Sequence, residues 1–226
     1  MKKLSTFGDD PVVVTIGASG GIGAALVSAT GGTGLTREDL DLTDEASIRA
    51  AAKRVKSDHG AVDVVIVATG LLHGGDIAPE KTWARLDPAA MAQVFAVNSI
   101  GPALVAKHFL PLLAKGRKTV FAALSARVGS IGDNHIGGWH SYRAAKAALN
   151  QLIHGAAIEL ARTHKQTICV CLHPGTVQTA FTQKYAAHHD TVPASVAAQN
   201  LIDVMNSLST EHSGGFFDYS GAQIPW

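Results

Sequence analysis

The sequence is poor in cysteine, the residue whose disulfides stabilise many small extracellular proteins. It contains only two cysteines, Cys169 and Cys171, which lie two positions apart in an apolar run. On a strand two such side chains point to one face, where a disulfide between them would strain the backbone. We therefore expect two reduced thiols in a core, and the composition excludes a disulfide-stapled scaffold.

An excess of either charge is also absent. The chain has 19 basic and 18 acidic residues and no block of like charge, so neither nucleic acid nor an anionic membrane is expected as a partner. No uninterrupted apolar run reaches the roughly 18 residues of a membrane span, and polar residues follow the N-terminal lysines where a signal peptide is apolar. The 11 histidines form no spaced ligand cluster, so no metal is expected. These absences predict a cytoplasmic protein that acts on a small molecule.

What the sequence does have is a glycine-rich turn between a predicted strand and a predicted helix. Residues 12–16 are apolar or β-branched, which is typical of a buried parallel strand. Gly17, Gly20, Gly21 and Gly23 follow, and a helix is predicted to begin near Gly21. A helix N-terminus after such a turn presents backbone N–H groups and its dipole to an anion, so the stretch predicts a phosphate-binding site.

The same stretch permits two other interpretations. Gly17-Ala18-Ser19-Gly20-Gly21 also fits the G-x-S-x-G turn that carries the nucleophile of an α/β-hydrolase. That turn normally follows several strands, whereas here only eleven residues precede the single strand before the turn. The glycines would otherwise form a purely structural turn. The order of strand, turn and helix favours a nucleotide over both.

Downstream, apolar strands alternate with helical stretches, which predicts one α/β domain over residues 1–226 with a parallel sheet. The second-strand region is truncated: residues 33–37 and 40–42 each predict a short strand, with no space for a helix between them. Further strands are predicted over 61–68, 118–124, 167–172 and 216–219, and helices over 21–30, 88–113, 141–163 and 193–208, with another beginning after 43–45.

Two of these helices, over residues 88–113 and 141–163, are apolar on more than one face. One face of a sheet cannot cover both sides of a helix, so each should be buried by something else as well. A second copy of the chain is the simplest cover, and we expect a homodimer or homotetramer.

Tyr142 and Lys146 form the strongest chemical signal after the glycine turn. Residues four apart share one face of a helix, so the phenol and the ammonium are predicted neighbours. A tyrosine has an ordinary pKa of about 10, and we expect the cation to lower the pKa of Tyr142. Tyr and Lys pairs at this spacing are common on protein surfaces. The pair therefore indicates a general acid only in combination with the glycine turn.

Several motifs, in this order and spacing, resemble those of the short-chain dehydrogenase/reductase family. They are Gly17-xxx-Gly21-Ile22-Gly23, Asp41-Leu42-Thr43-Asp44, Asn98 within residues 97–101, Tyr142-xxx-Lys146, and Pro174-Gly175-Thr176-Val177-x-Thr179. The resemblance extends from Val12 to Thr179. Residues 125–131 and 137–139 are most like the C-factor-like branch of the family.

The resemblance implies a Rossmann-type, doubly wound parallel sheet and hydride transfer between a nicotinamide cofactor and a small carbonyl or alcohol. Tyr142 would protonate the carbonyl oxygen, and Lys146 would lower the tyrosine pKa and hold the nicotinamide ribose. Asn98 would hold a water that relays protons from Lys146. A serine would hydrogen-bond the substrate oxygen.

The cofactor expected from the resemblance is NADP, with NAD possible. Arg37 lies at the end of the predicted second strand, where an arginine can bind the 2′-phosphate of NADP. Asp41 would contact the adenine, and Val177 and Thr179 the carboxamide. The expected cofactor residues are Gly17, Ser19, Gly20, Gly21, Ile22, Gly23, Arg37, Asp41, Leu42, Ala68, Thr69, Gly70, Asn98, Tyr142, Lys146, Pro174, Gly175, Val177 and Thr179.

The sequence departs from the family at two places. The Asn-Asn-Ala-Gly motif after the strand over residues 61–68 is reduced to Ala68 and Gly70. The catalytic serine of the family lies three residues before a glycine, and that position is Ala126. Ser125 precedes it and Ser130 follows the glycine. We expect Ser125 to take the role, which requires a bend at the strand end because strand neighbours face opposite sides.

The missing serine leaves a second class of function open, that of a nucleotide-binding sensor or signalling protein with weak or lost turnover. The substrate is not specified by the sequence, because the polar loop over residues 178–190 that should shape its pocket has no readable chemistry. His73, Trp139 and His173 are expected to pack in loops rather than to contact the substrate.

Overall fold

The computed structural model describes residues 4–183 and 190–226. Its strands are β1 (Val13–Ile16), β2 (Thr33–Leu35), β3 (Val64–Val67), β4 (Thr119–Leu124), β5 (Thr167–His173), β6 (Val177–Gln178), β7 (Val192–Pro193) and β8 (Phe216–Asp218). Its helices are α1 (Gly21–Thr30), α2 (Glu45–His59), α3 (Pro88–Phe95), α4 (Gly101–Phe109), α5 (His140–Leu160) and α6 (Ala194–Ser207).

Six of the strands form one parallel sheet in the order β2-β1-β3-β4-β5-β8, and β6 and β7 form a separate pair. Helices cover both faces of this sheet. Ile48 of α2, Val105 of α4 and Leu149 of α5 share one core with alternate strand residues. Leu26 of α1 and Leu201 of α6 share the core on the other face. The predicted doubly wound parallel sheet is therefore confirmed.

The second-strand region is truncated as predicted, but residues 40–42 do not form a strand. After β2 the chain makes a tight turn, in which Asp39 Oδ2 accepts hydrogen bonds from the backbone N and hydroxyl of Thr36, both at 2.9 Å. Asp41 Oδ1 likewise accepts from the backbone N and hydroxyl of Thr43. Backbone N–H groups that donate to nearby side chains are not available for hydrogen bonds to a neighbouring strand. Arg37 consequently lies in the turn beyond β2.

The helix predicted over residues 88–113 is interrupted. A π-helical turn over Ala96–Ile100 separates α3 from α4. Pro102 has no N–H, so the α-helical bond to the carbonyl of Asn98 cannot form, which accounts for the irregular turn. The run Pro88–Leu112 has the length and mean hydropathy, 1.5, of a membrane span, and 39% of that apolar window is buried inside the protein.

The two cysteines have the arrangement that their spacing predicts. Cys169 and Cys171 are free, buried, and part of the core that faces α5. Burial raises the pKa of both thiols. Both are therefore inert core residues.

Candidate active site

A cavity of about 1370 Å³ follows the edge of the sheet where the parallel strands end. The turns after β1, β3, β4 and β5 all open into it, as expected for a ligand site in a doubly wound sheet. The cavity is lined by these predicted site residues: Gly17, Ser19, Gly20, Gly21, Ile22, Arg37, Asp41, Leu42, Ala68, Thr69, Gly70, Ser125, Tyr142, Lys146, Pro174, Gly175, Val177 and Thr179. Two predicted residues, Gly23 and Asn98, lie behind the cavity wall.

The glycine turn is built so that no side chain obstructs the N-terminus of α1. Gly17 has a φ of 90°, in the left-handed region that disfavours other residues. A Cβ on Gly23 would lie 2.1 Å from the carbonyl oxygen of Gly17, so only glycine lets the helix approach the turn. Helix α1 has no side-chain cap and no acidic residue in its first turn. Its free N–H groups fit the pyrophosphate of a dinucleotide.

At the far end of the cavity, Arg37 and Asp41 lie where the adenosine part of a dinucleotide would bind. Arg37 is exposed, and its charge helps to keep the pKa of Asp41 low, after the stronger effect of the hydrogen bonds from Thr43. An anionic Asp41 and the exposed guanidinium of Arg37 at this end of the cavity can contact an adenine and a phosphate respectively.

Tyr142 and Lys146 lie on the first two turns of α5 and are both buried, at 6% and 2% exposure. Lys146 Nζ is 5.9 Å from the centre of the tyrosine ring and donates a 2.8 Å hydrogen bond to the carbonyl of Leu124. Burial lowers the pKa of Lys146 to about 8. Burial also raises the pKa of Tyr142, so the expected lowering by Lys146 is wrong for the free protein. The phenol keeps its proton, as a general acid must.

Asn98 is fully buried in the π-helical turn, and its side chain fastens the loop after β3. Its Oδ1 accepts from the backbone N of Leu71 at 2.8 Å, and its Nδ2 donates to the Leu71 carbonyl at 2.7 Å. Both polar atoms of the side chain are thus bonded to Leu71, and each keeps the capacity for one further hydrogen bond. The main-chain carbonyl of Asn98, which Pro102 leaves without its α-helical partner, is a further acceptor for the predicted water.

Ser125 lines the cavity, but the predicted bend toward the substrate side is not seen. Its backbone N continues the ladder to Leu172, and its hydroxyl donates a 2.7 Å hydrogen bond to Asn150 Oδ1. The proton that the predicted role requires is thus donated within the protein. Ser125 follows the strand alternation without interruption, and its hydroxyl is directed to Asn150, about two helical turns beyond Tyr142 on α5.

Glu80 is a buried residue of the site that the sequence did not reveal. Helix α5 begins without a side-chain cap of its own, after Trp139 in a left-handed conformation. The Glu80 carboxylate accepts hydrogen bonds from both the backbone N and the hydroxyl of Ser141. Burial opposes its ionisation, yet the bonds from Ser141 hold the pKa of Glu80 below its ordinary value. The only sequence signal is negative: no Ser, Thr, Asp or Asn stands where the cap of α5 is needed.

Aromatic rings surround the phenol of Tyr142. The rings of Trp139 and Phe181 lie 6.3 and 6.2 Å from it between centres, and His73 Nε2 is 3.1 Å from the carbonyl oxygen of Phe181. The Trp139 ring therefore packs directly against Tyr142 of α5, whereas the sequence predicted packing within a loop. Residues 184–189 of the loop that was expected to shape the substrate pocket lie outside the described residues. Within the described ranges no three His, Cys, Asp or Glu side chains cluster as metal ligands.

Comparison with known proteins adds independent findings. A family model described as short chain dehydrogenase matches residues 32–190. C-signal from Myxococcus xanthus is 36% identical over 170 residues, which cover 74% of this chain and 94% of the relative. The 1-hydroxy-2-glutathionyl-2-methyl-3-butene dehydrogenase of Rhodococcus sp. (strain AD45) is 27% identical over 225 residues, covering 100% of this chain and 92% of the relative. The NADPH-bound carbonyl reductase from chicken fatty liver superposes with a TM-score of 0.79 at 26% identity, covering 96% and 99% of the two chains.

Proposed function

The chain belongs to the short-chain dehydrogenase/reductase family of oxidoreductases, and from this premise we propose that it reduces a small carbonyl compound with NADPH. The observation that carries the proposal is the meeting of two features in one cavity. The uncapped N-terminus of α1 offers a phosphate site, and the buried phenol of Tyr142 offers a proton donor. Membership of this family argues against the alternative in which the glycine turn carries the nucleophile of a hydrolase.

In this reaction the bound nicotinamide supplies the hydride, and the protein supplies position and a proton. Tyr142 donates its proton to the carbonyl oxygen, which becomes the hydroxyl of the product alcohol. Lys146, charged at neutral pH because its pKa is about 8, stabilises the phenolate that forms. In this proposal Asn98 holds a water through which the proton is replaced.

NADPH is the favoured cofactor for two reasons. The carbonyl reductase from chicken fatty liver, which has the same fold at 26% identity, is NADPH-bound. In this chain Arg37 is exposed beside the turn after β2 and lines the cavity, where a guanidinium can bind a 2′-phosphate. NAD fits the same cradle without that contact.

A signalling function is the second candidate, and two observations favour it. The relative from Myxococcus xanthus is named C-signal, and Ala126 replaces the serine that the family uses on the substrate. In that case the protein would bind the nucleotide and catalyse little or no hydride transfer. Measured hydride transfer separates the two candidates.

The decisive assay mixes the protein with NADPH and a panel of ketones, aldehydes and quinones. Loss of the reduced-cofactor absorbance, with the alcohol identified as product, supports the reductase. NADPH binding without turnover of any carbonyl supports the signalling protein. The same panel with NADH tests the choice of cofactor.

The apolar faces of α4 and α5 support a further proposal, that the protein assembles as a homodimer or homotetramer. Ile100, Leu152 and Ile158 are each more than 40% exposed on or beside these helices. Burial of such side chains against a second copy would remove them from water. A cytoplasmic location is consistent with the free thiols of Cys169 and Cys171.

A further inference from the structure

The end of β4 provides no serine proton for the substrate oxygen. Ala126 lines the cavity and has no hydroxyl. Ser125 donates its proton to Asn150, and Ser130 is a buried residue that accepts from the backbone N of Asp133 and does not line the cavity. A carbonyl oxygen that faces Tyr142 therefore needs its second hydrogen-bond donor from another element.

We propose that His173, the last residue of β5, supplies this donor and is a catalytic residue of the reaction. Strands β4 and β5 are paired in register up to Leu124 and Leu172, so His173 lies beside Ser125 at the end of the neighbouring strand. The imidazole also lines the cavity. The proposal rests on the proposed reductase function and adds the residue that holds the substrate oxygen.

The alternation along β5 places His173 on the same face as the catalytic helix. Cys169 and Cys171 pack in the core with Leu149 of α5, and His173 continues that alternation by two residues. Lys146 lies near Cys171, since its charge partly offsets the rise that burial causes in the pKa of that thiol. Tyr142 lies one helical turn before Lys146, and His173 lies two strand residues after Cys171. Each of these steps covers about 6 Å. His173 and Tyr142 are therefore level with each other at the mouth of the cavity.

The electrostatic surroundings keep this imidazole neutral. Burial lowers the pKa of His173 to about 4, and the nearby guanidinium of Arg127 acts in the same direction. The carboxylate of Asp218, whose Cα pairs with that of His173 on β8, opposes them less strongly. A neutral imidazole carries one N–H and donates a hydrogen bond without competing with Tyr142 for the proton transfer.

One ring nitrogen of His173 has no hydrogen-bond partner among residues 4–183 and 190–226. This nitrogen, Nδ1, is buried, and Nε2 is not among the buried unpartnered atoms of these residues. Because no acceptor faces Nδ1, the ring proton is better placed on Nε2, where it can be donated to a ligand in the cavity. The proton stays on the ring throughout, and Tyr142 alone transfers a proton to the product.

The test compares the wild type with His173→Ala, Ala126→Ser and the double variant. We expect His173→Ala to lower kcat/KM for the best carbonyl by about a hundredfold, the usual cost of one donor to a reacting oxygen. The Kd for NADPH, measured by fluorescence titration, should stay within about threefold because the donor contacts the substrate. The double variant, which restores the serine of the family, should recover about tenfold or more of the lost activity.

The restored serine separates a catalytic role from a structural one. A hydroxyl at position 126 can replace a donor but cannot repair a folding defect at position 173. His173→Gln, which retains an N–H at the reach of Nε2, should keep more activity than His173→Ala. Wild-type activity in His173→Ala, a rise in its NADPH Kd that accounts for the whole loss, or no recovery in the double variant overturns the role of His173. A wild type that reduces no carbonyl overturns the proposed function, and this role with it.

Discussion

At the scale of single residues, the proposed proton transfer depends on two buried titratable side chains, Tyr142 and Lys146. Their neighbourhood on one helix face could be read from a spacing of four. The direction of the tyrosine pKa could not, because it depends on burial, which is set by α3, the loops and the sheet around the ring. Burial favours the neutral phenol and the neutral amine alike, so the proton donor is stabilised and the cation is weakened.

The pH dependence of the reaction follows from the lysine. Its pKa of about 8 predicts that kcat/KM for carbonyl reduction is level at neutral pH and falls as pH rises above about 8, when Lys146 loses its charge. The measurement is kcat/KM between pH 6 and 10 at saturating NADPH. Lys146→Met should abolish most activity and remove this decline. A wild-type profile that stays level to pH 9.5 would contradict the assigned role of Lys146.

Folding stability should change in the opposite sense over the same range. The folded pKa of Lys146 lies below its ordinary value of 10.5, so between these values the unfolded chain binds more protons. The contribution of Lys146 to the free energy of unfolding therefore rises with pH from about 8 to 10.5.

The choice of cofactor depends on Arg37. Arg37→Ala should raise the Kd for NADPH by about tenfold, because a charge-assisted contact to the 2′-phosphate is lost, and should leave the Kd for NADH nearly unchanged. Fluorescence titration measures both. Arg49→Ala, an exposed change on α2 away from the cavity, controls for net charge. Equal affinity of the wild type for the two cofactors would show that Arg37 does not reach the ribose.

At the scale of elements, the catalytic helix α5 is held in place by a residue sixty positions away. Glu80 caps its N-terminus through Ser141, and the carbonyl of Glu80 accepts from the backbone N of Trp139. Long-range caps of this kind leave no local pattern, so the beginning of α5 could be predicted from its apolar periodicity but its anchor could not.

Removal of this cap should weaken the helix end that carries Tyr142. Glu80→Ala should lower the free energy of unfolding by about 1–2 kcal/mol and reduce kcat, whereas Glu80→Gln keeps an acceptor and should lose less. Chemical denaturation measures the free energy of unfolding, and the carbonyl reduction assay measures kcat. Glu159→Ala, an exposed change on the same helix, is the matched control. Identical stability of Glu80→Ala and Glu159→Ala would contradict the capping role.

The strands and helices with strong patterns were predictable because their periodicity reflects burial directly. Two misjudged elements had competing local chemistry instead. Residues 40–42 are apolar enough for a strand, but the side chains of Asp39 and Asp41 close turns on either side. The helix over residues 88–113 has continuous periodicity, but Pro102 removes one N–H and turns Asn98 toward the loop after β3. Side-chain hydrogen bonds to the backbone decided the first case, and a missing backbone N–H decided the second.

At the scale of the whole molecule, the exposed apolar residues of α4 and α5 predict assembly. Light scattering at micromolar concentration should give two or four times the 23.5 kDa mass of one chain. Leu152→Lys, which places a charge on the α5 face, should shift the mass toward that of a monomer. Ile136→Lys, on a more exposed apolar residue that lines the cavity, should not. A monomeric wild type would contradict the proposed interface.

The cavity as a whole brings together a phosphate cradle from β1 and α1 and a proton donor from α5. The glycine turn and the Tyr142 and Lys146 pair were predictable as separate motifs, because each has a spacing with a physical reason. The loop after β5 was predictable only from its resemblance to the family motif. Their convergence depends on parallel strands that end at one edge, which only the fold shows. The missing serine at position 126 was visible in the sequence, but the orientation of Ser125 and His173 was not.

Replacement of one oxygen atom tests the central claim most directly. Tyr142→Phe removes the phenol hydroxyl while it keeps the ring that packs against Trp139 and Phe181. The account predicts that carbonyl reduction by this variant falls by about a hundredfold or more, since the general acid is lost, while its Kd for NADPH stays near the wild-type value. Carbonyl reduction at the wild-type rate by Tyr142→Phe would contradict the account.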